Sequence, residues 1–556
     1  MMCIGMRLCV LMGLAVGLSA CASLRAVSPP SIIRGLTPDE AASDPTLAAT
    51  LAVRNEVPLQ YYKEVERPLQ LHTDGPPQLT IALSGGGMRS AIFSLGVLSA
   101  LHDVGVFPQR TDILSAVSGG GYIASWFYAQ EALNQCTADQ LLNPKGEAQN
   151  ALKANSDFIE IKPRHPGSFV ALATTIFPMG LVNLLVNGVF GFHANTPTTS
   201  PYYMYRFQKT FFAGNAGCSF DKKAEISRSV SWDQIRKKIE SNNKTHDPAL
   251  HTPNFILNST ADFGYMDNDL ARRGFNSVYE ATPQRFGSEG MRYYCYPETT
   301  NAAAKPPAGC EDWRPEIAPL ERMAVTSGAA FDTAAISSRT GRLLVSALNF
   351  DLGHFFSNPN AASYPKWQLA IPLFYGVTSQ YNLDSGGRRM LLTDGGHAEN
   401  LGVYALLRRL PTKIVVVDAE MDKEHTFGSY HRLKAMALND LHLVLSVPDI
   451  DKAQAGPGPV YYGTVGGIPR GGSKVSSIDL VYIKLPLRSF VKEECDKFSP
   501  LAVPSFCDYL RKHKDFPFDG TFTDQSYSPE QFAAYRDLGM WEVERAQSEI
   551  MATLNR

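Results

Sequence analysis

The sequence predicts an α/β fold, with a mainly parallel central sheet flanked by helices and interrupted by long insertions. One stretch carries most of that expectation. Leu79 to Leu83 and Ile113 to Val117 are short apolar runs, and each stops at a glycine cluster followed by a helix-length apolar pattern. Both halves of the segment 79–130 therefore read as strand, turn, helix. A third apolar run, Met390 to Thr393, ends at Asp394-Gly395-Gly396, and a fourth, Lys413 to Asp418, lacks the alternation of a strand with one wet face. Strands alternating with helical patterns call for parallel pairing.

In chain order, Met1 to Ala20 carries Arg7, the apolar run Leu8 to Leu18, and then Leu18-Ser19-Ala20-Cys21. This has the three-part form of a secretory leader, with a run too short to span a membrane. Leu-Ser-Ala-Cys resembles the bacterial lipobox, whose cysteine is lipidated and becomes the new N-terminus. The expectation is a leader over 1–20, lipidation at Cys21, and a lipid-anchored protein of the bacterial cell envelope, at the outer membrane on its periplasmic or surface side. Residues 21–77 are rich in Pro, Ala and Ser with weak periodicity, as a tether would be. A catalytic domain is expected over 78–450, with an insertion at about 136–253, and a C-terminal layer packed on it over 451–556.

The chain is 44% hydrophobic, enough for a sizeable core. Lys and Arg number 52 against 54 Asp and Glu, so no basic field exists to attract nucleic acid. Beyond the leader and Cys21 stand Cys136, Cys218, Cys295, Cys310, Cys495 and Cys507, an even set compatible with disulfides. No two of these have the close spacing of a zinc site.

Gly85, Gly86 and Gly87 leave backbone N–H groups free to face a ligand, and the following helix adds the positive end of its dipole. An oxyanion or a phosphate fits there. The dinucleotide fingerprint fits poorly, with Ser90 where glycine or alanine is needed, and no Gly-Lys-Ser/Thr supplies a phosphate-binding Walker loop. Ser118, between strand and helix with Gly119 after it, holds the position that exposes a nucleophile at a strained turn. Asp394 places a carboxylate at a strand end, and its two following glycines allow close approach to Ser118. Asp418 is its rival, but Ala-Glu follows it.

Together Ser84-Gly85-Gly86-Gly87-Met88-Arg89, Ala116-Val117-Ser118-Gly119-Gly120 and Asp394-Gly395-Gly396 resemble the motifs of the patatin-like phospholipases, a family related to the cytosolic phospholipase A and fungal lysophospholipase catalytic domains. The resemblance runs from about Leu79 to Asp418. Ala116 departs from it, since the family's serine turn has glycine there. The resemblance implies a patatin-like core and a serine acyl hydrolase cleaving lipid acyl esters of phospholipid or lysophospholipid. It implies a Ser118–Asp394 dyad without histidine, so that neither His102 nor His397 is required, and no metal or cofactor. Backbone N–H groups of Gly85, Gly86, Gly87 and Gly119 would form the oxyanion hole. Arg89 would steady a phosphate head group, against the plainer reading of a surface charge in the first helical turn.

Ser168 to Phe192 carries no charge, but Pro178, Gly180, Asn183, Asn187 and Gly188 interrupt it. A lid or interfacial segment and ordinary core suit it better than a membrane span. Phe255 to Thr260 reads as a core strand with a polar end. Ala324 to Ala330 reads as a strand or helix start with small residues near the site, which gives Ser327 a packing role. Asn400 to Leu410 reads as a helix. Pro529 to about Leu554 reads as a helix capped by Asp524 or Ser528, with Phe532, Tyr535, Leu538, Trp541 and Val543 on its apolar stripe. Two other functions stay open: an inactive or acyl-transferring, membrane-anchored lipid-binding lipoprotein, and a nucleotide-binding enzyme.

Overall fold

A computed structural model of the chain describes residue 66 and residues 75–160, 200–212, 229–245, 247–262, 277–288, 292–296, 306, 310, 312–314, 318–330, 353–357, 389–452, 458–467, 475–499, 503–520 and 524–556. The expected leader, Cys21, nearly all of the tether and the uncharged 168–192 segment lie outside these residues.

The strands in chain order are β1 (Leu79–Leu83), β2 (Ile113–Val117), β3 (Asp157–Glu160), β4 (Asn254–Asp262), β5 (Ser277–Ala281), β6 (Arg285–Ser288), β7 (Arg292–Cys295), β8 (His354–Ser357), β9 (Arg389–Thr393), β10 (Lys413–Asp418), β11 (Leu443–Ser446), β12 (Val460–Gly467), β13 (Val475–Lys484) and β14 (Asp524–Ser526). The helices that matter here are α1 (Gly87–Asp103), α2 (Ser118–Asn134), α3 (Trp232–Asn243), α4 (Leu320–Ser327), α5 (Val403–Leu407), α6 (Gly428–Leu441) and α7 (Pro529–Arg545). Twelve strands form one sheet, and β3 pairs with β14 apart from it.

At the centre of the sheet β13, β10, β1, β2 and β4 run parallel, in a register that sets Ile81 beside Val415, Leu83 beside Ala116 and Ala116 beside Leu257. The expected parallel sheet is this centre. On one side β12 and β11 continue it antiparallel, and on the other β5, β6 and β7 do so. β9 runs antiparallel to the end of β4, with Thr393 opposite Thr260, and carries β8 on its far edge. Connection length explains the mixture. A few residues suffice to join β6 to β7, whereas parallel neighbours need a crossover such as α1 or α2.

Successive residues of a strand face opposite sides of the sheet. Ile81, Leu83, Leu114, Leu257, Val415 and Val417 pack beneath α1, α2 and α7, while Ala82, Ile113, Ile256, Ile414 and Val416 pack against α5 and α6. Burial on both faces is what the unbroken apolar runs of β1, β2 and β10 record. Helix α7 begins where expected, with the Ser528 side chain accepting the N–H of Gln531 at 3.2 Å. It crosses α1 closely: a Cβ on Gly96 would overlap the Arg536 carbonyl oxygen, and one on Gly539 the Phe93 carbonyl oxygen.

Several expectations need adjusting. Residues beyond 451 were expected as a layer on the catalytic domain, yet they also supply β13, which lies beside β10 within the sheet. Glu66, within the stretch expected to be a tether, is fully buried, and its carboxylate accepts Nε and Nη2 of Arg409 at 2.6 and 2.7 Å. The helix expected from Asn400 to Leu410 is the shorter α5. Disulfides join Cys295 to Cys310 and Cys495 to Cys507, and Cys136 is disulfide-bonded as well. Among the described residues, no helix is long and apolar enough to cross a membrane, and no cluster of His, Cys, Asp or Glu could hold a metal ion.

Candidate active site

The site forms where β1, β2 and β4 end on the same side of the sheet. Past β1, the Ser84 N–H donates to the Val417 carbonyl at 3.0 Å, and Ser84 Oγ accepts the Ala419 N–H at 2.8 Å, so the start of the glycine loop is held by β10. The Gly85 N–H donates to the Asn400 carbonyl at 2.9 Å. Gly86 and Gly87 then turn the chain with φ of 144° and 60°, values that other side chains resist, and α1 starts at Gly87.

Ser118 stands between β2 and α2 in the left-handed region, at φ 48°. Gly119, the next residue, lies so close to Gly87 that a Cβ there would overlap the Gly87 carbonyl oxygen. The serine turn and the glycine loop thus touch backbone to backbone. Neither the Gly87 nor the Gly119 N–H has a backbone acceptor among the described residues. Ala116, where glycine was expected, fits because it is an interior residue of β2, and its carbonyl accepts Nδ2 of Asn258 at 3.1 Å.

Asp394 follows β9 and caps a single helical turn, Gly395–His397, its Oδ1 accepting the Gly396 N–H at 2.7 Å. Its Oδ2 accepts Oγ of Ser118 at 3.2 Å, joining residues 276 apart in sequence. Gly395 permits the approach, for a Cβ there would lie 2.6 Å from the Asn258 carbonyl oxygen. Burial raises the Asp394 carboxyl above the usual carboxylate range, an effect opposed by His397, the Gly396 N–H and the Ser118 hydroxyl. The geometry therefore supplies a buried hydroxyl, a carboxylate of raised basicity beside it, and a loop of N–H groups.

Of the two histidines, only His397 lies near the pair. His397 is an electrostatic neighbour of Asp394, with Nδ1 3.5 Å from Thr393 Oγ1. His102 sits at the far end of α1, against the Phe107 carbonyl at 3.0 Å and Asp139 at 2.9 Å. Asp418 is taken up in a separate buried cluster: it accepts Nζ of Lys484 at 2.9 Å, the Tyr482 hydroxyl, and the Glu420 N–H at 3.0 Å.

Arg89 is not the surface charge of the plainer reading. It is buried, and its guanidinium donates from Nε to the Ala419 carbonyl at 3.0 Å and from Nη1 to the Asp519 carbonyl at 2.7 Å. Those bonds tie α1 to the chain past β10 and to the segment before α7. Its Nη2 lies 3.3 Å from where a Gly86 Cβ would stand, so the charge sits behind the glycine loop.

Sequence reasoning missed the residues that brace the pair. Ser327 Oγ accepts the Ser118 N–H at 2.8 Å, and Thr260 Oγ1 donates to the Asp394 carbonyl at 2.6 Å. The polar end of β4 was the available signal, but its partners lie far away in sequence. Tyr122, one helical turn past Ser118, meets the Tyr203 hydroxyl at 2.6 Å, within an aromatic group that includes Phe158, Phe207 and Phe211.

No family model matches the chain. A curated protein of Saccharomyces cerevisiae, the putative meiotic phospholipase SPO1, is 22% identical over 418 residues, which cover 62% of this chain and 66% of that protein. Among solved structures, human GIVD cytosolic phospholipase A2 superposes with a TM-score of 0.52 at 14% identity, over 91% of this chain and 66% of that one. The fold is that of a cytosolic phospholipase A2. A second structure of the human protein, in complex with methyl gamma-linolenyl fluorophosphonate and terbium chloride, gives a TM-score of 0.46. The chain spans about two thirds of the length of each of these relatives. In fold it is similar to the human enzyme, and in sequence to the yeast protein. The yeast relative overturns the expected location in a bacterial cell envelope, because the lipobox is a bacterial processing signal and the sequence aligns with a eukaryotic protein.

Proposed function

We propose that the protein is a serine acyl hydrolase that cleaves acyl esters of phospholipid or lysophospholipid. The observation that carries this reading is the 3.2 Å hydrogen bond from Ser118 Oγ to Asp394, made where the glycine loop meets the serine turn. Ser118 Oγ attacks the ester carbonyl while Asp394 takes its proton. The tetrahedral oxyanion is held by N–H groups of Gly87 and Gly119, with Gly85 and Gly86 shaping the loop and Arg89 lending positive charge from behind it. Collapse expels the alcohol, which leaves with the proton from Asp394. Water then attacks the acyl-enzyme, giving its proton to Asp394; the bond to Ser118 Oγ breaks, Oγ takes that proton back from Asp394, and the fatty acid departs.

A carboxylate is a weak base in water, with an ordinary pKa of about 3.9. Burial supports Asp394 in this role by raising its proton affinity, and raised basicity is what base catalysis near neutral pH requires. Phosphatidylcholine, lysophosphatidylcholine and triacylglycerol, each offered to wild type and to Ser118→Ala, test the proposal. Fatty acid release by wild type that is lost in Ser118→Ala is expected. Release by neither protein, or equally by both, sinks it.

A further inference from the structure

Ser327, the last residue of α4, is fully buried beside the site. Its hydroxyl donates to the Asn258 carbonyl at 2.5 Å and accepts the backbone N–H of Ser118 at 2.8 Å. A hydroxyl has one proton to give, so with that proton committed to Asn258 its lone pair faces Ser118. The side chain of the same Asn258 donates to Ser115 Oγ at 2.8 Å and to the Ala116 carbonyl at 3.1 Å, gripping the end of β2. Two residues further along β4, on the same side of the strand, Thr260 Oγ1 donates to the Asp394 carbonyl at 2.6 Å and accepts the Ala398 N–H at 2.9 Å. One strand end thus fixes both the serine turn and the aspartate.

Resting on the proposed Ser118–Asp394 chemistry, we infer that Ser327 is a positioning residue for the nucleophile. It holds Ser118 in the left-handed conformation that aims Oγ at Asp394. It also occupies the Ser118 N–H, which withdraws that group from the oxyanion hole and leaves Gly87 and Gly119 as the donors. Without the hydroxyl, the Ser118 backbone loses its acceptor, and the Oγ-to-carboxylate alignment relaxes. Displacement of a reacting group by about an ångström costs roughly a hundredfold in rate.

The test uses the full chain as wild type, Ser327→Ala and Ser327→Cys. Fluorophosphonate labelling and ester hydrolysis are measured per folded protein, with near-UV circular dichroism reporting the fold. Ala removes the hydroxyl and its volume, while Cys keeps nearly the volume and accepts hydrogen bonds only weakly. Both variants are expected to label roughly 10- to 100-fold more slowly, with the loss in kcat and KM within about twofold. Should Ala fail to fold, the volume-conserving Cys variant carries the comparison. Labelling of either variant at the wild-type rate overturns the inference: for Ala because nothing is lost, for Cys because filled volume, not the hydrogen bond, would then be what matters. A change confined to KM overturns it as well. A wild type that takes no label fails the hydrolase reading and this inference together, whereas a labelled wild type beside an unslowed variant fails the inference alone.

Discussion

At the scale of single residues, Ser118 and Asp394 were legible because each closes an apolar run and is followed by glycine, a local pattern with a steric cause. Ser327 and Thr260 were not, because their importance lies in hydroxyl partners 209 and 134 residues away. Arg89 was legible in position but not in role: a sequence shows a cation after the loop, not the two carbonyls that capture it. The raised proton affinity of Asp394 has two measurable consequences. As a base it must be ionised, so the fluorophosphonate labelling rate should rise with pH through a midpoint above the usual carboxylate value of about 3.9. A rate that stays flat down to that value would contradict the role. The second consequence concerns stability. A carboxyl whose folded pKa exceeds its unfolded one favours folding below the unfolded pKa, and that contribution is lost as pH rises through the folded pKa. Ionised Asp394 therefore costs stability at neutral pH. Asp394→Asn, which can still accept the Gly396 N–H, is expected to melt no lower than wild type there, with any gain shrinking as the pH is lowered. A lower Tm at neutral pH in Asp394→Asn would show that the ionised carboxylate is a net stabiliser.

At the scale of elements, β1, β2, β4, β10 and α7 were readable from periodicity and from caps such as Ser528. The edge strands were less so, for β5 to β8 are short and their pairing depends on connections, not on composition. The crossing of α1 and α7 was illegible for another reason: Gly96 and Gly539 look like ordinary helix-weakening glycines until the two backbones are seen to touch. Gly96→Ala puts a methyl group into the Arg536 carbonyl, and overpacking of a tight core costs about 1–3 kcal/mol. Urea denaturation should show that loss, although alanine is the better helix former. An unchanged or higher stability would mean that the crossing relaxes freely. Because α1 also carries the glycine loop, labelling by the folded fraction is expected to slow as well.

At the scale of the whole molecule, the chain closes on itself more than its linear order suggests. β13 enters the sheet beside β10, and Glu66 reaches from the expected tether into a buried cluster with Arg409, Arg285, Glu280 and Arg408. There Glu280 is held down to about 2, its burial outweighed by Arg409, Arg408 and Arg285. Removing one partner of a buried ion pair leaves the other uncompensated, at a cost of about 3–5 kcal/mol. Glu66→Gln should lose stability on that scale in urea denaturation, and a loss under about 1 kcal/mol would mean that the cluster is satisfied without it. No local pattern marked this contact, since Glu66 lies in a stretch of weak periodicity. The central claim is that Ser118 is acylated with Asp394 as its base, and it is tested most directly by fluorophosphonate labelling with mapping of the modified peptide, on wild type, Asp394→Asn and Asp418→Asn. The expected result is a single adduct on Ser118 in wild type. Labelling of Asp394→Asn should be slower by ~10²–10⁴-fold, and that of folded Asp418→Asn should stay within about tenfold of wild type. An adduct on another residue, or rapid labelling of Asp394→Asn beside slow labelling of Asp418→Asn, would contradict the claim.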